Sequence, residues 1–281
     1  MTTNDSRWGR GVLAALLFVS VALLVLYIPF LQSLVADWDT NENYSHGYFI
    51  PFIFAYMIYS IKDTLVKKQI QPVNSGLIII VFGLVVLIVG KIGAEFFLQR
   101  FSLIIVLLGI VLFLLGWEYL KALSIPILYL IFMIPLPAII WNKIAFPLQL
   151  FGSLLTEHII RFFGIPVFRQ GNILHLSETT LEVVAACSGL RSLVTMFALS
   201  SLLIWMSRLS TLGKWLLFFA AAPTAICANI IRLTVTAILA SHYGSEVAQG
   251  FLHDFSGVFT FIIGLSMLLL VAKTIERKFA A

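Results

Sequence analysis

The sequence predicts an all-α polytopic membrane protein with about eight transmembrane helices, a short extracytoplasmic β-hairpin and an interfacial amphipathic segment. Three observations lead to this prediction. The 281-residue chain is 60% hydrophobic and only 11% charged, whereas a soluble domain carries about 25% charged residues. Its mean hydropathy is +1.04. Apolar stretches of about 20 residues, the length that crosses a hydrocarbon core, recur along the whole chain.

Eight of these stretches are predicted to cross the membrane, at residues 11–30, 44–61, 76–93, 101–117, 122–140, 188–206, 215–243 and 255–272. The first lacks a small-residue cleavage site and is followed by others, so it is predicted to be a span and not a removable signal peptide. Pro126, Pro135 and Pro137 should kink or end the fifth span. No repeat, linker or low-complexity tract is visible, which predicts a single domain over residues 1–281.

The pattern changes between the fifth and the sixth span. Residues 144–163 are long enough to cross, yet they contain Pro147, Gln149, Glu157, His158 and Arg161. Residues 173–176 and 180–183 then alternate partly between apolar and polar around a turn signal at 177–179. This alternation predicts a small hairpin outside the bilayer.

The positive charges fix a predicted orientation. Lys and Arg residues cluster in the head, in the 62–68 and 208–214 loops and in the tail, and such residues favour the cytoplasmic side. All four regions share one side only if residues 144–163 do not cross. That segment is therefore predicted to lie at the outer interface with its polar residues towards the headgroups. Both termini are then cytoplasmic, and the net charge of +5 is accounted for without a nucleic-acid partner.

Cys187 lies where the strand-like segment meets the sixth span. A helix N-terminus favours a thiolate over a thiol, so this position suits a reactive cysteine. Arg191, four residues later, is predicted to share its helical face. The small neighbours Ser188 and Gly189 would let a substrate backbone approach. Cys227 lies within an apolar run, which is typical of an inert thiol.

Two further candidates lie at the same predicted membrane depth as Cys187. Arg232 follows Asn229 by about one helical turn in the seventh span, and His253 opens the last span. An intramembrane arginine costs about 2.5–3.5 kcal/mol and usually faces a partner or a polar cavity. Histidine can carry the proton between leaving group and nucleophile, whereas arginine keeps its proton and suits oxyanion stabilisation.

Several alternatives to these roles remain open. Arg232 could instead form a structural salt bridge or bind a lipid headgroup, and His253 could have a packing role. His46, next to Tyr44, is predicted to line the same outer cavity or, alternatively, to pack. No metal-ligand spacing recurs among the histidines, so neither a metal nor another cofactor is predicted.

These residues resemble those of the exosortases and archaeosortases, which are multi-pass membrane cysteine proteases or transpeptidases. The resemblance rests on Ala186-Cys187-Ser188-Gly189-Leu190-Arg191-Ser192, on Asn229-Ile230-Ile231-Arg232 and on His253, in that order. Tyr44-Ser45-His46-Gly47 and Gly164-Ile165-Pro166-Val167, with Gly171-Asn172, are also similar. It implies a nucleophile at Cys187, a proton carrier at His253 and a transition-state stabiliser at Arg232. The candidates for supporting the site or binding substrate are Asn229, Arg191, His46, Tyr44 and Ser188.

The resemblance also implies a substrate class and a location. Substrates would be exported proteins with a C-terminal sorting signal, namely a short motif such as Pro-Glu-Pro, a hydrophobic helix and a basic tail. Cleavage would occur at the outer leaflet of the inner membrane, among membrane lipids, in a system associated with exopolysaccharide gene clusters. The alternative functions are a multi-pass transporter or a non-catalytic subunit of an exopolysaccharide or lipid-carrier export system. A transporter predicts midplane polar residues and inverted repeats, whereas the spans hold little charge beyond Arg191 and Arg232.

Overall fold

A computed structural model describes residues 10–177, 179–183, 189–243 and 251–279, and for residues 10–13, 15, 16 and 251–256 it describes the backbone alone. The chain divides into two units, Met1–Pro137 and Ala138–Ala281. The helices of the first unit are α1 (Arg10–Thr40), α2 (Ile50–Ser60), α3 (Lys62–Lys67), α4 (Ser75–Ile92), α5 (Phe96–Leu115) and α6 (Trp117–Tyr129), with 3-10 helices at Glu42–Phe49 and Leu130–Met133. The second unit contains α7 (Ala138–Phe162), β1 (Val167–Gln170), β2 (Ile173–Leu176), β3 (Thr180–Glu182), α8 (Leu190–Met206), α9 (Thr211–Tyr243) and α10 (Phe251–Phe279).

The helices confirm the class of a polytopic all-α membrane protein. Among the described residues, six helices are long and apolar enough to cross a membrane: Leu17–Thr40, Ser75–Ile92, Phe96–Leu115, Ala138–Phe162, Thr211–Tyr243 and Gly257–Phe279. Leu190–Met206 is apolar but shorter. Large apolar side chains such as Phe18 and Phe82 point away from the protein, with 75% and 59% of their surface exposed. Such surfaces are those that lipid covers in a membrane protein.

Two predicted spans differ from the structure, since neither 44–61 nor 122–140 is one continuous α-helix. The first combines the 3-10 helix Glu42–Phe49 with the 11-residue α2. A side chain at Gly47 would overlap the indole of Trp38, so this tight segment depends on a contact that local sequence patterns do not reveal. The second is α6 followed by the 3-10 helix Leu130–Met133. It ends before Pro135 and Pro137, which have no N–H to continue a helix.

Glycines bring α4 and α5 into close contact in the first unit. Gly76, Gly83 and Gly90 recur every seven residues along α4 and are buried. A Cβ atom at the first of them would overlap the backbone of Phe113. At the second and third it would lie 2.6 Å from a methyl group of Val106 and 2.9 Å from the nitrogen of Gln99. Small residues at such a seam let two transmembrane helices pack backbone to backbone.

The predicted hairpin is confirmed, and it belongs to a three-stranded antiparallel sheet in the order β1-β2-β3. Leu174 pairs with Leu181 in the hairpin, while Phe168 pairs with His175 across the additional β1–β2 interface. Gly171, with a φ of +65°, makes the tight turn between β1 and β2. The β1 strand was not predicted, because Pro166, Arg169 and Gln170 obscure its alternation.

The polar residues of α7 differ in part from the prediction for residues 144–163, since His158 and Arg161 are exposed whereas others are not. Gln149, Ser153 and Glu157 are buried inside the protein and do not face the headgroups. Ser153 donates a 3.0 Å hydrogen bond to the carbonyl of Gly171. Glu157 forms ion pairs with arginines of α7 and β1, at 2.8 and 3.0 Å. The polar face of α7 is therefore used to hold the sheet.

Candidate functional site

The helix that follows the cysteine segment begins against α9. Gly189 is the N-cap of α8 and has a φ of +79°, a conformation that favours glycine. A Cβ atom on Gly189 would lie 3.0 Å from both Cβ and Cγ of Asn229. Asn229 is itself only 3% exposed. Glycine is therefore favoured here for two independent reasons, its backbone conformation and its close approach to Asn229.

Arg191 is the second residue of α8 and extends to α10. Its Nη1 atom lies 3.8 Å from the position that a Cβ on Gly257 would occupy. The helical face that Arg191 is predicted to share with Cys187 cannot be compared, because Cys187 lies outside the described residues, which here begin with the left-handed Gly189 and α8 at Leu190. Arg191 connects the start of α8 to the last helix, and its position relative to the thiol stays a prediction.

Asn229 and Arg232 lie one turn apart on α9. Asn229 is buried and Arg232 is partly exposed. From α7, Gly152 approaches the same turn, since its Cβ position would lie 3.2 Å from a methyl group of Leu233 and 3.9 Å from the amide nitrogen of Asn229. The side chain of Cys227, two residues before Asn229, is exposed. Thus α7 and the start of α8 converge on one turn of α9, and Arg191 links this cluster to α10.

A sequence profile described as transmembrane exosortase matches residues 38–270 of the chain. The chain belongs to the transmembrane exosortase family. This confirms the family resemblance that the sequence motifs carry, and it confirms an integral membrane protein. No curated protein sequence and no solved structure matches the chain.

The matched region of this exosortase includes all the predicted site residues. Cys187 and Ser188 lie outside the described residues. His253 lies on α10, one turn before Gly257, where the backbone alone is described. The assignments of nucleophile, proton carrier and stabiliser therefore stay predictions.

Tyr44 and His46 lie in the first unit, where they fix the 3-10 helix Glu42–Phe49. The backbone N–H of Leu136 donates a 3.1 Å hydrogen bond to the hydroxyl of Tyr44. The Nε2 atom of His46 lies 3.1 Å from the carbonyl oxygen of Phe132. Both side chains thus bind the segment that follows α6, and their predicted place in the cavity of the cysteine stays a prediction.

The glycines that organise this site could not be identified from the sequence. Gly152 and Gly257 belong to no motif. The small size of Gly189 predicts space for a substrate backbone, whereas Asn229 fills that space. When a buried polar residue of one helix packs against a glycine of another, neither residue belongs to a local sequence pattern that would predict the contact. Within the described ranges, no three His, Cys, Asp or Glu side chains cluster as a metal site would require.

Proposed function

We propose that this exosortase is a membrane cysteine protease or transpeptidase that cleaves C-terminal sorting signals from exported proteins. The Cys187 thiolate attacks the scissile carbonyl and forms a thioester, and the leaving amine takes a proton from His253. Water or an acceptor amine then attacks the thioester and gives its proton back to the histidine, which restores the thiolate. Arg232 stabilises the oxyanion of each tetrahedral intermediate.

The observation that carries this proposal is the contact between Gly189 and Asn229. Gly189 follows Cys187 by two residues, and Asn229 precedes Arg232 by one turn of α9. A second contact involves α10. The Nη1 atom of Arg191 lies 3.8 Å from the Cβ position of Gly257, which follows His253 by four residues. Three segments that are distant in the sequence therefore have described neighbours in contact, as a three-residue catalytic site requires.

Arg232 suits oxyanion stabilisation more than proton transfer. Its guanidinium keeps its proton and presents a planar fork of donors. It lies in a helix that is long and apolar enough to cross the membrane, where water competes weakly for the developing charge. Donors of this kind are worth about 2.7–4 kcal/mol in acyl transfer.

We further propose eight crossings, with α7 on the outer face. The 3-10 helix Glu42–Phe49 and α2 contain 8 and 11 residues. At rises of about 2.0 and 1.5 Å per residue they extend roughly 32 Å together, enough for a core of about 30 Å. By the same arithmetic α6 and its 3-10 helix, with 13 and 4 residues, extend roughly 27 Å. Of the six helices that could cross, α7 has the lowest mean hydropathy, 1.3.

This topology places the site at the outer leaflet of the inner membrane, with both termini in the cytoplasm. The substrate would be an exported protein that is held there by the hydrophobic helix of its own signal, with the basic tail inside. The cleavage motif of the substrate would then lie at the same membrane depth as the start of α8 and as Arg232.

The thioester provides the test. Cells would co-express the protein with a reporter that ends in a Pro-Glu-Pro motif, a hydrophobic helix and a basic tail. We expect a covalent reporter adduct that hydroxylamine releases, in the parent chain and in Cys227→Ala but not in Cys187→Ala. An adduct that persists in Cys187→Ala, or that requires Cys227, would assign the nucleophile elsewhere.

A further inference from the structure

The outer edge of β3 presents backbone groups with which a further strand could pair. Residues of an antiparallel pair direct their backbone N–H and C=O groups alternately towards and away from the neighbouring strand. The N–H of Val183 donates a 2.9 Å hydrogen bond to the carbonyl of Asn172, so Val183 and Leu181 face β2. Thr180 and Glu182, which alternate with them, therefore direct their backbone groups to the outer edge of the sheet.

The opposite edge, at β1, is covered. The guanidinium of Arg161 donates hydrogen bonds of 3.3 and 3.2 Å from Nε and Nη2 to the carbonyl of Val167. Glu157 holds both this guanidinium and that of Arg169, at 2.8 and 3.0 Å. Helix α7 thus lies against the β1 edge and provides a donor for the carbonyl of Val167 there, whereas β2 is the only one of the described strands that pairs with β3.

The sequence of β3 leaves its edge suitable for pairing. Thr180 and Glu182 are exposed. Of the features that commonly protect an edge, β3 has a short length and the charge of Glu182, but it contains no lysine, proline or bulge. Glu182 precedes Cys187 by five residues, a length of chain that spans at most about 18 Å. The Cα of Cys187 therefore lies within about 18 Å of that of Glu182, a distance that about five residues of an extended peptide span.

We propose that the β3 edge binds an extended segment of the exported substrate as a fourth strand, alongside Thr180 and Glu182. This inference rests on the proposed function, because the peptide so held is the one that Cys187 cleaves. Main-chain hydrogen bonds to an edge strand provide affinity that depends little on side chains. The segment concerned would lie just outside the hydrophobic helix of the signal.

Photo-crosslinking tests the placement without requiring cleavage. Benzoylphenylalanine would replace Thr180 at the β3 edge or the exposed Phe168 of β1, in the full chain carrying Cys187→Ala. We expect adducts with the co-expressed Pro-Glu-Pro reporter from position 180 and only background from position 168. Equal adducts from both positions, or none from position 180, would overturn the strand pairing. Processing of the reporter by Cys187→Ala itself would instead overturn the proposed function.

A proline variant tests the backbone bond itself. Thr180→Pro removes an N–H that faces the edge and leaves the β2–β3 hydrogen bonds in place, a position where sheets tolerate proline. With a synthetic Pro-Glu-Pro signal peptide and the protein in liposomes, we expect KM to rise about two- to tenfold with little change in kcat. The comparison variant Thr180→Val keeps the N–H, so its KM should rise less than that of the proline variant. An unchanged KM in the proline variant, or an equal rise in the valine variant, would overturn the proposal.

Discussion

Gly189→Ala tests whether the cysteine segment is positioned by its contact with α9. The added Cβ would lie 3.0 Å from Cβ and Cγ of Asn229 and 3.2 Å from its Nδ2. The alanine would also have to adopt a φ of +79°. The substitution therefore adds a steric cost to a conformational one, two residues after the proposed nucleophile.

The two costs can be separated by a matched control. Gly164 has the same φ of +79°, but a Cβ there would meet nothing within 4 Å. The left-handed conformation costs about 1–2 kcal/mol in either alanine variant. Overpacking against Asn229 adds about 1–3 kcal/mol in Gly189→Ala alone. About 1.4 kcal/mol is a factor of ten in rate. The contact is therefore expected to change the rate of reporter processing by about a factor of ten to a hundred.

The assay is the rate of reporter processing, normalised to the amount of protein in the membrane. We expect Gly189→Ala to process the reporter about tenfold to a hundredfold more slowly than Gly164→Ala. Equal rates for the two variants would show that the contact between Gly189 and Asn229 does not position the reactive segment.

Three further predictions use the same reporter or the same membranes. Arg232→Lys should insert normally but lose about a hundred- to a thousandfold in processing, because it lacks the planar fork; near-parental processing would remove Arg232 from the catalytic residues. In a cysteine-free background, cysteines at Asn142 and Phe168 should both react with an impermeant thiol reagent from outside, whereas labelling of only one would mean that α7 crosses. Glu157→Gln should destabilise the sheet by about 1–2 kcal/mol and raise proteolysis near β1, unlike the exposed control His158→Gln; equal proteolysis would contradict the role of the ion pairs.

The membrane class and the hairpin could be predicted because their signals are local. An apolar run of about 20 residues matches the thickness of the hydrocarbon core, so its length alone indicates a transmembrane helix. The alternation of Ile173–Leu176 with its turn signal led to a strand pair that the structure contains. The family could also be recognised, since the motifs around Cys187 and Asn229 stand in the expected order.

The features that could not be predicted from the sequence depend on tertiary contacts. An amphipathic helix has the same pattern whether its polar face meets headgroups or a small sheet, so the burial of Gln149 and Glu157 could not be predicted. The 3-10 helix Glu42–Phe49 depends on the approach of Gly47 to Trp38, which are close only after folding. Likewise, the left-handed conformation of Gly189 before α8 accompanies its close approach to Asn229, which periodicity alone does not reveal.

The most direct test of the account compares the two cysteines of the chain. Cys187 is the proposed nucleophile, while the exposed Cys227 lies on the same turn of α9 as Asn229 and is the natural control. Reporter processing and membrane abundance would be measured for Cys187→Ala and Cys227→Ala beside the parent chain. The account predicts that Cys187→Ala is as abundant as the parent and does not shorten the reporter, while Cys227→Ala processes it at the parental rate. Shortening of the reporter by Cys187→Ala at the parental rate would contradict the account.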